Sequence, residues 1–285
     1  MGTRLIFGCG YLGKRVASRW LECGHDVFVS TRSNQRADDF SKQGLRPIVC
    51  DITEPTSLAN LPSTETVLFA VGFDRTSGRS ISEVYGDGLR NVLHALPSSI
   101  QRMIYISSTG VYSQDDGQWV NEDSTCQPKR EGGKACLAAE QLLANHPIGA
   151  KTNVLRLAGI YGPERVPRLN DVKAGKPLAA PSHGHLNLIH VDDAADIAVA
   201  VDQRAAVPRT YLVSDGHPVL RREYYCEIAR LLGANEPQFT EPADQDPAAQ
   251  RAASDKRISN QRLLDELHVS FRYPSYREGL TELLR

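Results

Sequence analysis

Short apolar runs separated by helical patterns are the feature that most limits what this chain can fold into. Six runs rich in Val, Ile, Leu, Phe and Tyr predict strands, at 4–7, 26–29, 47–50, 66–71, 102–107 and 153–157. Helical patterns lie between them at 12–23, 81–96 and 134–145. Strands that alternate with helices form right-handed crossovers, which place parallel strands in one sheet with helices on both faces. The first half therefore predicts a doubly wound α/β layer.

The pattern changes after Pro163, where prolines and glycines indicate a segment that leaves the sheet. The further elements predicted are a strand at 186–191, a helix at 193–202 with Asp192 as its cap, a strand at 210–213 and a helix at 221–232 that ends at Gly233. The stretch 241–254 has few apolar residues and predicts a mobile loop. The second half thus combines late sheet strands with excursions from the sheet.

Composition excludes several classes of partner. The 285 residues carry 33 Lys+Arg against 34 Asp+Glu, without the positive excess that binding to nucleic acid or a membrane surface needs. No apolar run approaches the roughly 18 residues of a membrane-spanning helix, and no secretory signal is visible. The six cysteines form no CxxC pair, and His183 and His185 have no carboxylate or cysteine beside them. We expect a cytoplasmic protein with reduced cysteines and no metal site.

A glycine motif, Gly8-Cys9-Gly10-Tyr11-Leu12-Gly13, follows the first predicted strand and opens the first predicted helix. In this motif Gly8 permits a tight turn, Gly10 leaves room for a pyrophosphate, and Gly13 lets helix and strand pack closely. The helix N-terminus then offers unpaired N–H groups to the anion. The motif alone is weak evidence, but its position between strand and helix predicts a dinucleotide site.

The residues after the second strand bear on the choice between NAD and NADP. An acid about twenty residues after the glycine loop would bind the ribose 2′-hydroxyl of NAD. Here the chain reads Val29-Ser30-Thr31-Arg32-Ser33, with no carboxylate before Asp38. Arg32 is placed to pair with a 2′-phosphate, which favours NADP, and a solvated loop arginine is the alternative. Asp51, after the third strand, is either an acceptor for the adenine amino group or a turn residue.

Three further segments extend the pattern along the chain. They are Ile106-Ser107-Ser108-Thr109-Gly110-Val111-Tyr112, Leu155-Arg156-Leu157-Ala158-Gly159-Ile160-Tyr161-Gly162-Pro163 and Asn187-Leu188-Ile189-His190-Val191-Asp192-Asp193. With the glycine loop, they make the chain resemble the extended short-chain dehydrogenases/reductases, the NAD-dependent epimerase/dehydratase group, and most of all its atypical members. The resemblance covers nearly the whole chain.

That resemblance implies a Rossmann-type doubly wound parallel sheet with a smaller C-terminal substrate-binding lobe interleaved with late sheet strands. The dinucleotide-binding domain is expected at 1–162 with returning segments at 186–216, and the lobe at 163–185 and 217–285. The expected cofactor-binding residues are Gly8, Gly10, Tyr11, Leu12, Gly13, Thr31, Arg32, Ser33, Asp51, Ile52, Ala70, Val71, Gly72, Ser107, Lys134, Gly159 and Ile160. Tyr161 and Asn187 are expected to contact the substrate.

The sequence departs from the family in its catalytic residues. Family chemistry uses a Tyr-x-x-x-Lys pair on the fifth helix with a Ser or Thr, and the lysine lowers the tyrosine pKa so that the phenol can exchange a proton. The resemblance gives catalytic roles to Ser108, Thr109 and Lys134, but Arg130 stands where the tyrosine is expected. An arginine does not exchange protons near neutrality, because its pKa exceeds about 12.

Three explanations stay open: another residue is the acid, no protein acid is needed, or there is no reaction. Tyr112, Tyr161 and His190 are candidate acids, each with a packing role as the alternative. The segment from Lys256 to Asn260 resembles a family segment near the substrate, but a solvated basic turn is the slightly preferred interpretation.

Two functions follow from these observations. The first is an NAD(P)-dependent oxidoreductase or epimerase/dehydratase, with NADP preferred, that acts on a small hydroxylated and sugar-like or nucleotide-linked substrate. The second is a catalytically silent protein that senses dinucleotide with the same pocket. The family often dimerises through its fourth and fifth helices, so a homodimer is an expectation.

Overall fold

The computed structural model of the chain describes residues 2–241 and 254–285. The strands are β1 (Thr3–Phe7), β2 (Asp26–Thr31), β3 (Arg46–Val49), β4 (Thr66–Phe69), β5 (Arg102–Ser108), β6 (Trp119–Val120), β7 (Thr152–Leu157), β8 (Gly159–Tyr161), β9 (Leu178–Ala179), β10 (His185–Leu186), β11 (Leu188–His190), β12 (Arg209–Val213), β13 (Val219–Leu220), β14 (Phe239–Thr240) and β15 (Arg257–Ile258). The α-helices are α1 (Gly13–Glu22), α2 (Asn34–Lys42), α3 (Gly88–Ala95), α4 (Glu131–Ala144), α5 (Leu169–Lys173), α6 (Val191–Arg204), α7 (Arg221–Leu232), α8 (Gln261–Leu267) and α9 (Tyr276–Leu283). Single turns of other helix types lie at Pro55–Leu58, Glu83–Asp87, Thr109–Val111 and Pro147–Lys151.

A seven-stranded sheet in the order β12-β7-β5-β4-β1-β2-β3 forms the centre of the fold. Strand β1 pairs in parallel with both β2 and β4, and β4 pairs in parallel with β5. All four residues of β4 are buried, as expected for a strand covered by helices on both faces. The predicted α/β fold with a Rossmann-type parallel sheet is therefore confirmed.

The described residues divide into two compact units. The first unit comprises those within Met1–Ser108, Glu131–Arg156 and Ala195–Tyr211. The second comprises those within Thr109–Arg130, Leu157–Ala194 and Leu212–Arg285. The first unit has an apolar core that includes Phe7, Phe69 and Tyr105, whose rings pack against one another in sequence. The second has its own core, which includes Tyr161, Tyr224 and Leu280.

The early elements lie close to their predicted bounds, but one predicted strand is wrong. The run 186–191 is not a single strand. Strand β10 pairs antiparallel with β13, whereas β11 pairs in parallel with β8. The break falls at Asn187, whose carbonyl accepts from Gly159 N, and whose side chain bonds the backbone of Lys256 and Ile258. A polar residue engaged in this way separates two pairings that an apolar pattern cannot distinguish.

Three helix predictions also need correction. Helix α6 begins at Val191, so Asp192 lies in its first turn, where a carboxylate still favours the helix dipole, and is not its cap. The predicted helix 81–96 is a π-helical turn followed by α3. Helix α2 was not predicted because only Ala37 and Phe40 give it an apolar face, and its start depends on Ser33, whose side chain accepts from Arg36 N.

Most of the expected mobile loop at 241–254 lies outside the described residues. Within 2–241 and 254–285, no helix is both long and apolar enough to cross a membrane.

Candidate functional site

The glycine loop joins β1 to α1 in a very close turn. Gly8 has a φ of 89°, which glycine adopts without strain, and its carbonyl accepts from Gly10 N at 2.8 Å. A Cβ on Gly8 would overlap the backbone of Ala70, and a Cβ on Gly13 would overlap the carbonyl of Gly8. Neither clash can be relieved by a side-chain rotation, because both involve backbone atoms. The two outer glycines are therefore required by the packing of the loop itself.

Gly10 differs from both of them. A Cβ built on Gly10 meets no described atom within 4 Å, and the φ of Gly10 is not in the left-handed region. The loop packing therefore does not explain a glycine here. A pyrophosphate bound at the start of α1 would account for it, since the backbone must then approach the anion without a side chain between them. The loop fits the group that its sequence predicts.

The residues at the end of β2 present two arginines to the same region of the first unit. Arg32 is exposed and lies 3.6 Å from the Asp74 carboxylate, a weak surface pair. Arg36, on the first turn of α2, donates from its guanidinium to the carbonyl of Cys9 in the glycine loop at 2.9 Å. Sequence reasoning selected Arg32 and missed Arg36. The signal available was Ser33, a favoured N-cap residue that places Arg36 in the first turn of a helix. The contact of Arg36 with Cys9 has no local signal.

Asp51 adopts the turn geometry that was its alternative interpretation. Its Oδ1 accepts from Thr53 N at 2.9 Å and from the Thr53 hydroxyl at 2.8 Å. Next to it, the side chain of Ile52 is buried beneath Gly88, where a Cβ would lie 2.7 Å from the Ile52 Cδ1. An adenine contact at Asp51 stays a prediction, made through the carboxylate oxygen that Thr53 does not occupy.

Ser107, the last residue but one of β5, belongs to a buried polar cluster. Its hydroxyl donates to Glu140 of α4, and the same carboxylate accepts from Arg156 through Nε at 3.1 Å and Nη2 at 2.6 Å. All three residues are less than a tenth exposed. Because the Ser107 hydroxyl donates its proton to Glu140, it can meet a cofactor only as an acceptor, and its backbone is the other contact available. The cluster instead joins β5, α4 and β7 within the first unit.

Lys134 lies on α4 with its ammonium half-exposed, 3.7 Å from Glu131. Helix α4 begins at Glu131, so Arg130 directly precedes it and is not a helical residue one turn before Lys134. The condition for the two side chains to share a helix face is therefore not met. Ser108 is the last residue of β5, in the same unit as Lys134.

The predicted site residues divide between the two units. Those in the first unit are Gly8, Gly10, Tyr11, Leu12, Gly13, Thr31, Arg32, Ser33, Asp51, Ile52, Ala70, Val71, Gly72, Ser107, Ser108 and Lys134, and those in the second are Thr109, Gly159, Ile160, Tyr161 and Asn187. Within the first unit, the loop glycines and Ala70 meet at the ends of β1 and β4. In the second, β8 carries Gly159 and Ile160 beside β11.

The three candidate acids named from the sequence are all buried in the second unit. Tyr112, Tyr161 and His190 are at most 2% exposed. The Tyr161 hydroxyl donates to the Ser275 carbonyl, burial raises its pKa, and a Cβ on Gly279 would overlap its oxygen. The His190 ring stacks on Tyr273 at 3.8 Å between ring centroids. These positions favour packing roles, so we leave Tyr161 out of the proposed substrate site.

The segment that starts at Lys256 is not the solvated basic turn preferred from its sequence. Lys256 and Asn260 are each 7% exposed. The Lys256 ammonium donates to the Tyr112 carbonyl at 3.0 Å and to the Ser254 hydroxyl at 2.7 Å. Asn187, expected to contact substrate, donates to the Lys256 carbonyl and accepts from Ile258 N. The amide of Asn187 therefore positions this segment.

A carboxyl with a strongly altered pKa lies in the second unit. Asp215 is 3% exposed, accepts from His217 N at 2.9 Å through Oδ1, and has no hydrogen-bond partner among the described residues for Oδ2. Burial raises the pKa of Asp215 to about 7, with Asp193 and Glu278 adding repulsion. Because the folded-state pKa exceeds the ordinary value of 3.8, the stabilising contribution of this group is complete below about pH 4 and is lost as pH rises to about 7.

We therefore expect Asp215→Asn to remove a pH-dependent loss of stability. The parent should lose a few kcal/mol of unfolding free energy relative to the variant between about pH 4 and pH 7, because only the parent ionises a buried carboxyl. Urea unfolding at several pH values across this range measures the free energy of unfolding of both proteins. If the amide changes stability by a constant amount, the change of that free energy with pH is unaffected. Asp265→Asn, which changes an exposed carboxyl of the same unit, is the control. Parallel pH profiles for the parent and Asp215→Asn would contradict the expectation.

Comparison with known proteins agrees with the geometry of the glycine loop. Residues 5–214 match the model of the NAD dependent epimerase/dehydratase family. Protein YeeZ of Escherichia coli K12 is 30% identical over 249 residues, which cover 84% of this chain and 87% of that protein. A solved structure from Methylobacillus flagellatus, provisionally assigned as an NAD-dependent epimerase/dehydratase, is 32% identical with a TM-score of 0.81, covering 99% and 97% of the chains.

A more distant relative carries a defined activity in its name. It is a ketoreductase of Stigmatella aurantiaca that acts on 4-hydroxy-2-methyl-3-oxo-4-farnesyl-3,4-dihydroquinoline-1-oxide, and it is 28% identical over 238 residues, 79% of this chain and 71% of that protein. The family match covers well over half of this chain. The chain therefore belongs to the NAD-dependent epimerase/dehydratase family of the short-chain dehydrogenases/reductases.

Proposed function

We propose that this protein is an NADP-dependent oxidoreductase or epimerase/dehydratase that acts on a small hydroxylated, sugar-like or nucleotide-linked substrate. The observation that carries the proposal is Gly10, a glycine that the fold itself does not require, at the start of α1. Family membership and the ketoreductase relative support the reaction class. The bound dinucleotide would supply or accept a hydride at its nicotinamide ring.

The preference for NADP follows from the positive charge near the glycine loop. Arg36 is fixed by its hydrogen bond to Cys9 O, and Arg32 lies four residues earlier on the same connection. Two guanidinium groups favour a 2′-phosphate, whereas the 2′-hydroxyl of NAD is bound by a carboxylate that this connection lacks. Arg32 exchanges its weak surface pair with Asp74 for the phosphate.

The chemistry of the site depends on few side chains. Lys134 binds the nicotinamide ribose, and Ser108, with Thr109 after it, donates a hydrogen bond to the reacting oxygen of the substrate. Proton exchange falls to the substrate itself, to solvent or to another side chain, because Arg130 keeps its proton near neutrality.

A silent dinucleotide sensor is the second candidate. The observation in its favour is Arg130, which replaces the proton-exchanging tyrosine and precedes the helix that would have held it. In this alternative the glycine loop and the two arginines serve binding alone. Turnover separates the two candidates, since both bind the dinucleotide.

Gly10 offers a direct test of the cofactor site. We expect Gly10→Ala to weaken and Gly10→Leu to abolish NADP binding, because a growing side chain occupies the space for the pyrophosphate. Both variants should fold, since no described atom lies near a Cβ at this position. Calorimetric titration measures the affinity, and thermal unfolding without ligand is the control. Binding by Gly10→Leu as tight as that of the parent would place the site elsewhere.

The two arginines should determine which dinucleotide binds better. Arg32→Ala and Arg36→Ala should each lower NADPH affinity roughly tenfold or more and leave NADH affinity unchanged, because each removes a charge-assisted bond to the 2′-phosphate. Arg46→Ala, which removes an exposed arginine of the first unit paired with Asp26, is the control. Equal losses for NADPH and NADH, or a parent without preference, would contradict the NADP assignment.

Turnover should be detectable as NADPH oxidation with a panel of ketones, aldehydes and keto-sugars. We expect oxidation by the parent and a large fall in kcat for Ser108→Ala, since its hydroxyl polarises the reacting oxygen. Cofactor affinity, measured in parallel, should be retained by this variant. Tight NADPH binding without oxidation of the cofactor by any member of the panel would favour the sensor.

A further inference from the structure

Lys256, a buried lysine of the second unit, donates hydrogen bonds to the Tyr112 carbonyl and the Ser254 hydroxyl. The Ser254 hydroxyl lies 3.3 Å from the Gln114 carbonyl, to which it donates, so it accepts from Lys256. The Tyr112 carbonyl can only accept. Both partners of the ammonium are therefore neutral acceptors that take two of its three N–H groups. The third N–H has no acceptor among the described residues.

No carboxylate of the described residues forms an ion pair with Lys256. The adjacent Asp255 is directed to a different residue, since its Oδ1 accepts from His185 N at 2.9 Å and from the His185 ring at 2.8 Å. The next cation, Arg257, donates to the Gly117 carbonyl. A buried ammonium without a counter-ion is costly, and such charges in proteins are normally paired.

The charges that face Lys256 add to this cost. Burial lowers the pKa of Lys256 to about 8, repulsion from Arg130 lowers it further in the same direction, and Asp255 opposes both. His185 is the remaining titratable group of this cluster, and its ring is bound to Asp255. Among the described residues, Lys256 therefore has no ion-pair partner, and Arg130 repels its charge.

We propose that Lys256 binds an anionic group of the substrate, a carboxylate or a phosphate. An anion that accepts from the third N–H supplies the counter-ion that the described residues do not. Arg130 and Ser254 are half-buried, so the cluster borders solvent through them. That the anion belongs to a substrate rests on the proposed function, whereas the anion site itself does not.

The segment around Lys256 is built to hold this position. The Asn187 amide donates to the carbonyl of Lys256 at 2.8 Å and accepts from the N–H of Ile258 at 2.7 Å. Strand β15 pairs in parallel with β6, which fixes the backbone on the other side. A rigid ammonium loses little conformational freedom when an anion binds, so the site is pre-organised.

The test uses the full-length chain saturated with NADP, so that the glycine loop does not take up the probe. Inorganic phosphate and succinate are titrated separately by calorimetry from about pH 7 to about pH 9.5, where a lysine with a lowered pKa changes charge. We expect the affinity of the preferred probe to fall at least tenfold across this range in the parent. The tighter of the two probes identifies the class of anion.

Three variants make the assignment specific. Lys256→Met should lose at least tenfold in affinity near neutral pH, whereas Lys256→Arg should keep its affinity at every pH, because a guanidinium stays charged. Lys176→Met removes an exposed lysine of the same unit and should behave as the parent. Parent-like binding by Lys256→Met, a pH-independent parent, the same pH-dependent fall in Lys256→Arg or no binding of either probe would overturn the proposal.

The result for the anion site can be distinguished from the result for the proposed cofactor. NADP binding is measured on its own in the same samples before the anion is added. A chain that binds no NADP but binds the anion through Lys256 would refute the cofactor assignment and support the anion site. A chain that binds NADP but shows no role for Lys256 would do the opposite.

Discussion

The close contact between the glycine loop and the end of β4 is the constraint on which the first unit depends. Gly8 leaves no room for a Cβ beside Ala70, and Gly13 leaves none beside Gly8. Helix α1 can therefore start directly over the sheet, which directs its N-terminus towards any anion bound at the loop. Gly10 shares the motif but not the packing, and this difference separates the two structural glycines from the one assigned to the proposed ligand.

A second constraint joins the strand ends to the helix of the family's catalytic lysine. Glu140 accepts hydrogen bonds from Ser107 and Arg156 in a buried cluster that connects β5, α4 and β7. Breaking such a pair leaves a buried charge uncompensated, which typically costs about 3–5 kcal/mol. The cluster therefore fixes the register of α4, and with it the position of Lys134, independently of any substrate. The family's Lys134 and Glu140 spacing thus has a structural reason.

The second unit, in contrast, contains two buried ionisable groups that form no ion pair among the described residues. Asp215 remains a carboxyl with one oxygen unpartnered among the described residues, and Lys256 remains an ammonium held only by neutral acceptors. Burying an ionisable group without an ion-pair partner destabilises the fold, so stability alone does not explain these two residues. Their presence shows that this unit contains buried polar positions that packing does not require. The anion site proposed at Lys256 gives one of these positions a function.

The order of elements, the parallel sheet and the glycine loop were determined by the sequence, because strand and helix periodicities and a three-glycine spacing are local signals. Local signals could not place Arg36 on the glycine loop, split the strand at Asn187 or bury Lys256. Each of these depends on partners far along the chain: Cys9 for Arg36, the 256–258 backbone for Asn187, and Tyr112 for Lys256. The segment from Lys256 to Asn260 looks solvated until its partners are known, since only the tertiary fold decides which polar groups leave water and what they contact there.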